Sequence, residues 1–194
     1  MVELIGSNKI KTAVFISGTG SNLKNLIKFS LLKKSPIKVS FIVSNNIKAK
    51  GLNFAKKYKI KKKTYNFKNK KLSEKLILGD LKKNEINLIC LAGFMKILSA
   101  KFIKKFNGNI LNIHPSLLPK YKGLNTHVRV IENNERFSGC TVHYVNSSLD
   151  SGKIILQKKI LISRKDTPTT LKKKILKQEH ILYPKAINKL LANL

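Results

Sequence analysis

Short, almost wholly apolar runs alternate along the first two thirds of this chain with stretches whose apolar residues recur at three- and four-residue steps. Thr12-Ala13-Val14-Phe15-Ile16-Ser17 reads as a buried strand, and residues 21–34 as a helix with Leu23, Leu26, Ile27 and Leu31 on one face. The pattern repeats: a strand over 37–43, a helix over 49–58, a weaker strand over 60–65 and a helix over 72–83. The strongly apolar Asn87-Leu88-Ile89-Cys90-Leu91-Ala92 follows, then a short helix over 99–106 capped by Ser99 and a strand opening with Gly108-Asn109-Ile110-Leu111. Strands apolar at nearly every position must be covered on both faces, which calls for a parallel sheet between helices. The expected fold is therefore α/β: a Rossmann-like three-layer sandwich, parallel in the N-terminal half of its sheet.

The pattern then changes. Residues 123–133 read as a helix, while Gly139-Cys140-Thr141-Val142-His143-Tyr144-Val145 alternates as a half-buried strand does. A further strand over 153–162 lies just beyond the turn Ser147-Ser148-Leu149-Asp150-Ser151-Gly152, so the C-terminal strands are expected to be antiparallel or mixed. A last helix covers 167–191, with a kink expected at Pro184. With 194 residues, no repeats and no linker-like stretch, one domain over 1–194 is expected, residues 1–10 forming a short N-terminal extension.

Composition bounds the function. No apolar run reaches the roughly 20 residues of a membrane span, and the N-terminus lacks the basic start and apolar core of a secretory signal. Cys90 and Cys140 lie in apolar runs and read as buried free thiols; a cytoplasmic protein is expected. The net charge of +31 suggests a nucleic-acid binder, but 37 of the 40 basic residues are lysines and only Arg129, Arg136 and Arg164 are arginines. Specific nucleic-acid surfaces favour arginine for bidentate contacts. The lysine, asparagine and isoleucine excess reads better as drift toward A/T-rich codons, with no specific nucleic-acid partner expected. The surplus could still attract small anions.

Three stretches carry chemistry. In Asn112-Ile113-His114-Pro115-Ser116-Leu117-Leu118-Pro119, Asn112 and His114 share one face of an extended backbone, and the prolines end the strand. An amide beside an imidazole can polarise a carbonyl and move a proton; the competing reading is a hydrogen-bonded structural histidine. Asp150, one of three aspartates, could hold that imidazole in its charged form, or could simply shape its turn. Ser17-Gly18-Thr19-Gly20-Ser21-Asn22-Leu23 reads equally as an ordinary serine-capped turn or as a phosphate-binding helix start. It lacks both the third glycine of a dinucleotide loop and the Walker lysine. After the fourth strand, Met95, Ile97 and Leu98 would line an apolar slot or pack a helix. Glu179, read alone, is a solvated helix residue. His127, His143 and His180 lack metal-ligand spacing, and no metal is expected.

Taken together, these stretches resemble the phosphoribosylglycinamide formyltransferases, folate-dependent enzymes of purine synthesis. The glycine loop, Ala92-Gly93-Phe94-Met95-Lys96-Ile97-Leu98, Asn112 through Pro119 with Lys120-Tyr121-Lys122-Gly123-Leu124-Asn125-Thr126-His127, Leu149-Asp150-Ser151-Gly152 and Gln178-Glu179-His180 follow in the order and spacing of that family. The resemblance implies formyl transfer from 10-formyltetrahydrofolate to glycinamide ribonucleotide by a monomer or homodimer. It implies a catalytic trio of Asn112, His114 and Asp150, with Asn112 and protonated His114 stabilising the oxyanion. Gly20, Ser21, Asn22 and Glu179 would bind the ribonucleotide. Lys70, Met95, Lys96, Ile97, Leu98, Asn146, Ser147, Ser148 and Leu149 would bind the folate. Lys96 stands where the family often has arginine, keeping the charge but weakening a bidentate contact. The competing readings are a formyltetrahydrofolate deformylase, which usually carries an extra N-terminal regulatory domain, and a basic nucleic-acid-binding module. A methionyl-tRNA formyltransferase would carry a further C-terminal domain.

Overall fold

The computed structural model describes residues 9–192, in which seven strands and six helices are found and the chain divides into two compact units. The first comprises residues 9–96 together with Lys105–Asn109. Its elements are β1 (Ile10–Ile16), α1 (Ser21–Leu31), β2 (Ile37–Ser44), α2 (Leu52–Lys57), β3 (Lys61–Thr64), α3 (Lys70–Lys83) and β4 (Leu88–Leu91). The four strands run parallel in the order β3-β2-β1-β4. Ala13 to Ile16 and Phe41 to Val43 are completely buried, as the unbroken apolar runs require. β3 ends this row of strands, and its exposed Lys61, Lys62 and Lys63 suit an edge, where charge discourages further strand pairing.

Helix boundaries differ from the expected ones for local reasons. α3 starts at Lys70, two positions early, because the Asn69 side chain accepts from the Leu72 N–H at 3.0 Å. α1 stops at Leu31, with Leu32 extended and Pro36 four residues on. α2 starts only at Leu52, because Ala49 and Leu52 donate back three residues in tight turns. Residues 9 and 10 belong to the fold and not to an extension: Ile10 pairs with Ile37, and Lys9 Nζ donates to the Ser30 and Leu32 carbonyls. Residues 1–8 lie outside the described residues.

The second unit comprises Ile97–Lys104 and residues 110–192. It holds most of α4 (Ala100–Lys105) and β5 (Asn109–His114), then α5 (Thr126–Glu132), β6 (Phe137–Tyr144), β7 (Ile154–Leu161) and α6 (Pro168–Leu191). Ser99 Oγ caps α4 by accepting from the Phe102 N–H. β5, β6 and β7 pair antiparallel in that order, the mixed arrangement expected from the alternating pattern. α6 packs on β6 and β7, opens with a Thr167–Thr170 capping box and runs on through Pro184 as one helix. Tyr183, fully buried beside that proline, donates its hydroxyl to the Leu111 carbonyl at 3.2 Å and ties α6 to β5. α5 begins at Thr126, later than the expected 123, because Tyr121, Gly123 and Asn125 all lie in the left-handed region. Both cysteines are free and buried, and no described helix is long and apolar enough to cross a membrane.

Candidate active site

The end of β5 and the turn after β6 bring four side chains together in the second unit. Asn112 and His114 occupy alternate positions of β5, so both reach the same side. The His114 Nδ1 lies 3.3 Å from Asp150 Oδ2, and both side chains are more than nine-tenths buried. Its Nε2 lies 2.8 Å from the Tyr121 carbonyl. A carboxylate and a carbonyl can only accept, so each ring nitrogen faces an acceptor.

Asp150 is equally well supplied with donors. Its Oδ2 also accepts from the Gly123 N–H at 2.9 Å, and its Oδ1 accepts from Asn112 Nδ2 at 3.4 Å. The residue lies at φ 45, and Asn146 Oδ1 organises the turn before it by accepting from the Ser148 N–H and the Ser151 hydroxyl. Aspartate tolerates the left-handed region better than most residues, so its turn-forming and chemical roles coincide.

The fourth group is His143, whose sequence position pointed only to the absence of metal-ligand spacing. β5 and β6 pair so that Asn112 faces His143, and Asn112 Nδ2 sits 3.2 Å from His143 Nε2. His143 Nδ1 lies 2.8 Å from the Tyr144 carbonyl and so carries the proton. Burial holds this histidine below its usual range, more strongly than the Tyr144 carbonyl and Asp150 raise it. Neutral, with Nδ1 protonated, His143 offers Nε2 as an acceptor to Asn112. The Asn112 NH₂ thus has two acceptors, Asp150 and His143. In this arrangement the Asn112 N–H groups, expected to meet an oxyanion, are already engaged within the cluster.

The first unit builds a different kind of surface. Gly20, at φ 73, is the N-cap of α1, and no side chain caps the helix start. The serine-capped turn is therefore not what forms: Ser21 is the first helical residue, and the first turn carries no acidic side chain. The helix start remains suited to an anion. A Cβ on Gly20 would stand 2.7 Å from the Gly51 Cα, so backbone packs on backbone here. Ser17 joins this loop to the one after β4, since its N–H donates to the Gly93 carbonyl and its Oγ accepts from the Met95 N–H.

A family model described as formyl transferase matches residues 10–187. The chain belongs to the formyl transferase family. It is 42% identical over 180 residues to phosphoribosylglycinamide formyltransferase of Haemophilus influenzae, covering 91% of this chain and 85% of that protein. It is 41% identical over 182 residues to the human trifunctional purine biosynthetic protein adenosine-3, covering 92% of this chain but only 18% of that longer protein. Among solved structures, phosphoribosylglycinamide formyltransferase from Anaplasma phagocytophilum superposes with a TM-score of 0.89 at 41% identity, covering 96% of this chain and 88% of that one. The α/β fold is thus the Rossmann-like fold of formyl transferases.

The remaining candidates of this formyl transferase divide by exposure. Met95 (60% exposed), Lys96 and Ile97 are accessible, as are Lys70 at the first position of α3 and Asn146, Ser147, Ser148 and Leu149. Leu98, in contrast, is buried at 4% exposed. Glu179 is 7% exposed on α6, which overturns the solvated-helix reading. Its charge is felt at Cys140, whose thiol is pushed up to about 12 by burial first and then by Glu179. Among the described residues no group of His, Cys, Asp or Glu is arranged to hold a metal ion.

Proposed function

We propose that this chain transfers the formyl group of 10-formyltetrahydrofolate to the amine of glycinamide ribonucleotide. The observation that carries the reading is the cluster of Asn112, His114, His143 and Asp150 in a chain similar, over most of its length, to proteins named for that reaction. The substrate amine attacks the formyl carbon, and the carbonyl oxygen takes up negative charge. The His114 imidazolium supplies the compensating positive charge, its Nε2–H shared between the Tyr121 carbonyl, which keeps it aimed, and that oxygen. Asp150 stays ionised and keeps the ring charged and oriented. The Asn112 carbonyl oxygen accepts an N–H from the attacking amine. As the bond from carbon to folate nitrogen breaks, that nitrogen takes a proton and the amine gives one up, so the protons balance.

The ribonucleotide phosphate is assigned to the uncapped start of α1 at Gly20, Ser21 and Asn22, with Glu179 as a further substrate contact. The folate is assigned to Lys70, Met95, Lys96, Ile97, the backbone at Leu98, and the 146–149 turn. Lysine at position 96 supplies charge without the fork of arginine. The test is to follow tetrahydrofolate and formate production from 10-formyltetrahydrofolate with and without glycinamide ribonucleotide. Turnover that requires the acceptor and releases no formate is expected. Formate release without acceptor would make the chain a deformylase, and no turnover in either case would overturn the reading.

A further inference from the structure

The loop between β5 and α5 lends the site two backbone groups, and side chains remote from the reacting atoms hold that loop. The Tyr121 carbonyl sits on His114 Nε2, and the Gly123 N–H on Asp150 Oδ2. On the other side of the loop, Glu135 Oε1 accepts from the Tyr121 hydroxyl at 2.9 Å and from Lys120 Nζ at 2.8 Å. The Arg129 guanidinium lies 5.3 Å from the Tyr121 ring centre and donates to the Lys122 carbonyl at 2.7 Å. Tyr121 and Gly123 both hold positive φ, a backbone state that a non-glycine residue such as Tyr121 keeps only when its surroundings enforce it.

We propose that Glu135 is a positioning residue: by gripping the Tyr121 hydroxyl it fixes the Tyr121 carbonyl on His114 Nε2 and so holds the imidazole ready. A cavity of about 200 Å³ borders Tyr121, Glu135, Leu117 and Phe137, so a released tyrosine ring has room to move, and the left-handed backbone at Tyr121 then loses the restraint that keeps its carbonyl aimed. Glu135 touches neither substrate nor reacting atom in this scheme; it acts through Tyr121. The link to turnover rests on the proposed formyl transfer, whereas the link to His114 is structural and is tested separately.

The experiment compares Glu135→Ala, Tyr121→Phe and their double variant with wild type, using Glu132→Ala on the exposed side of α5 as a neighbouring control. Low-field proton spectra report the hydrogen-bonded ring N–H groups of His114, and steady-state kinetics give kcat and the KM for glycinamide ribonucleotide. Loss of one hydrogen bond to a charged group is expected to lower kcat about tenfold. KM should stay near wild type, and the Nε2–H resonance should vanish or move. Tyr121→Phe should change in the same direction, the double variant should be no worse than Glu135→Ala, and Glu135→Gln, which keeps an acceptor, should recover most of the rate. A folded Glu135→Ala protein with the wild-type resonance would overturn the proposal, whether or not its melting temperature falls. If wild type shows no formyl transfer, the functional reading fails while the resonance still decides the clamp.

Discussion

The two units meet their chemical tasks with different materials. In the first, the anion-suited surface is backbone: a glycine at φ 73 opens α1, no side chain caps it, and glycine packs on glycine beneath. In the second, the reactive cluster is side chains, largely withdrawn from solvent and held by one another. A backbone site tolerates changes in charge but not an added methyl group. A side-chain site tolerates small changes of shape but not the removal of a charge.

The largest expected effect breaks the second kind of site without disturbing its shape. Asp150→Asn keeps a residue that accepts φ 45 but removes the negative charge from His114. Turnover should fall roughly 10²- to 10⁴-fold, the span of a lost acid–base contribution. Ribonucleotide affinity, whose phosphate contact is assigned to the other unit, should hardly change when measured by calorimetry. The converse variant is Gly20→Ala, which adds a methyl 2.7 Å from the Gly51 Cα at a left-handed residue. It should cost about 1–3 kcal/mol of stability in denaturant titrations and weaken ribonucleotide binding.

A smaller effect separates shape from hydrogen bonding inside the cluster. His143→Phe keeps a buried ring but removes the acceptor for Asn112, so the amide is no longer pinned. Turnover should fall roughly tenfold, as for one lost hydrogen bond in a buried network, and Asp150→Asn should mask much of that loss when the two are combined.

The smallest effect is on stability and again divides the units. His127 is pushed down to about 4 by burial first, then by Lys172 and His114, and burial also lowers His143 and His180. The unfolded chain therefore binds protons that the folded one refuses. Stability from these groups is full above about 6.5 and is lost as pH falls toward 4. In the first unit, burial raises Asp80 but its bonds to Lys63 and Tyr65 outweigh this, leaving it lowered. Its contribution is lost only as pH drops below 3.8. Hydrogen exchange across this range should report opening of the second unit first.

The same contrast explains what the sequence could reveal. The buried parallel strands were legible because their apolar runs admit few other arrangements, and the antiparallel C-terminal strands because residues 139–145 alternate. Asn112, His114 and Asp150 were legible as residue types at suggestive positions, with the resemblance joining them. His143 was not, since its partnership with Asn112 arises only once β5 and β6 pair. The carbonyl of Tyr121 and the N–H of Gly123 were invisible in principle, because every residue carries such groups and only the loop conformation aims them. The uncapped start of α1 was similarly hidden: Ser21 has the right chemistry for a cap but sits one position too late.

The central claim is that His114 works as a charged imidazolium held between Asp150 and the Tyr121 carbonyl. Nitrogen-15 chemical shifts of the His114 ring in the wild-type protein near neutral pH test it most directly. The account expects both nitrogens to give the shifts of protonated imidazolium, and expects Asp150→Asn to abolish that pattern. A wild-type His114 with one protonated and one bare nitrogen would contradict it.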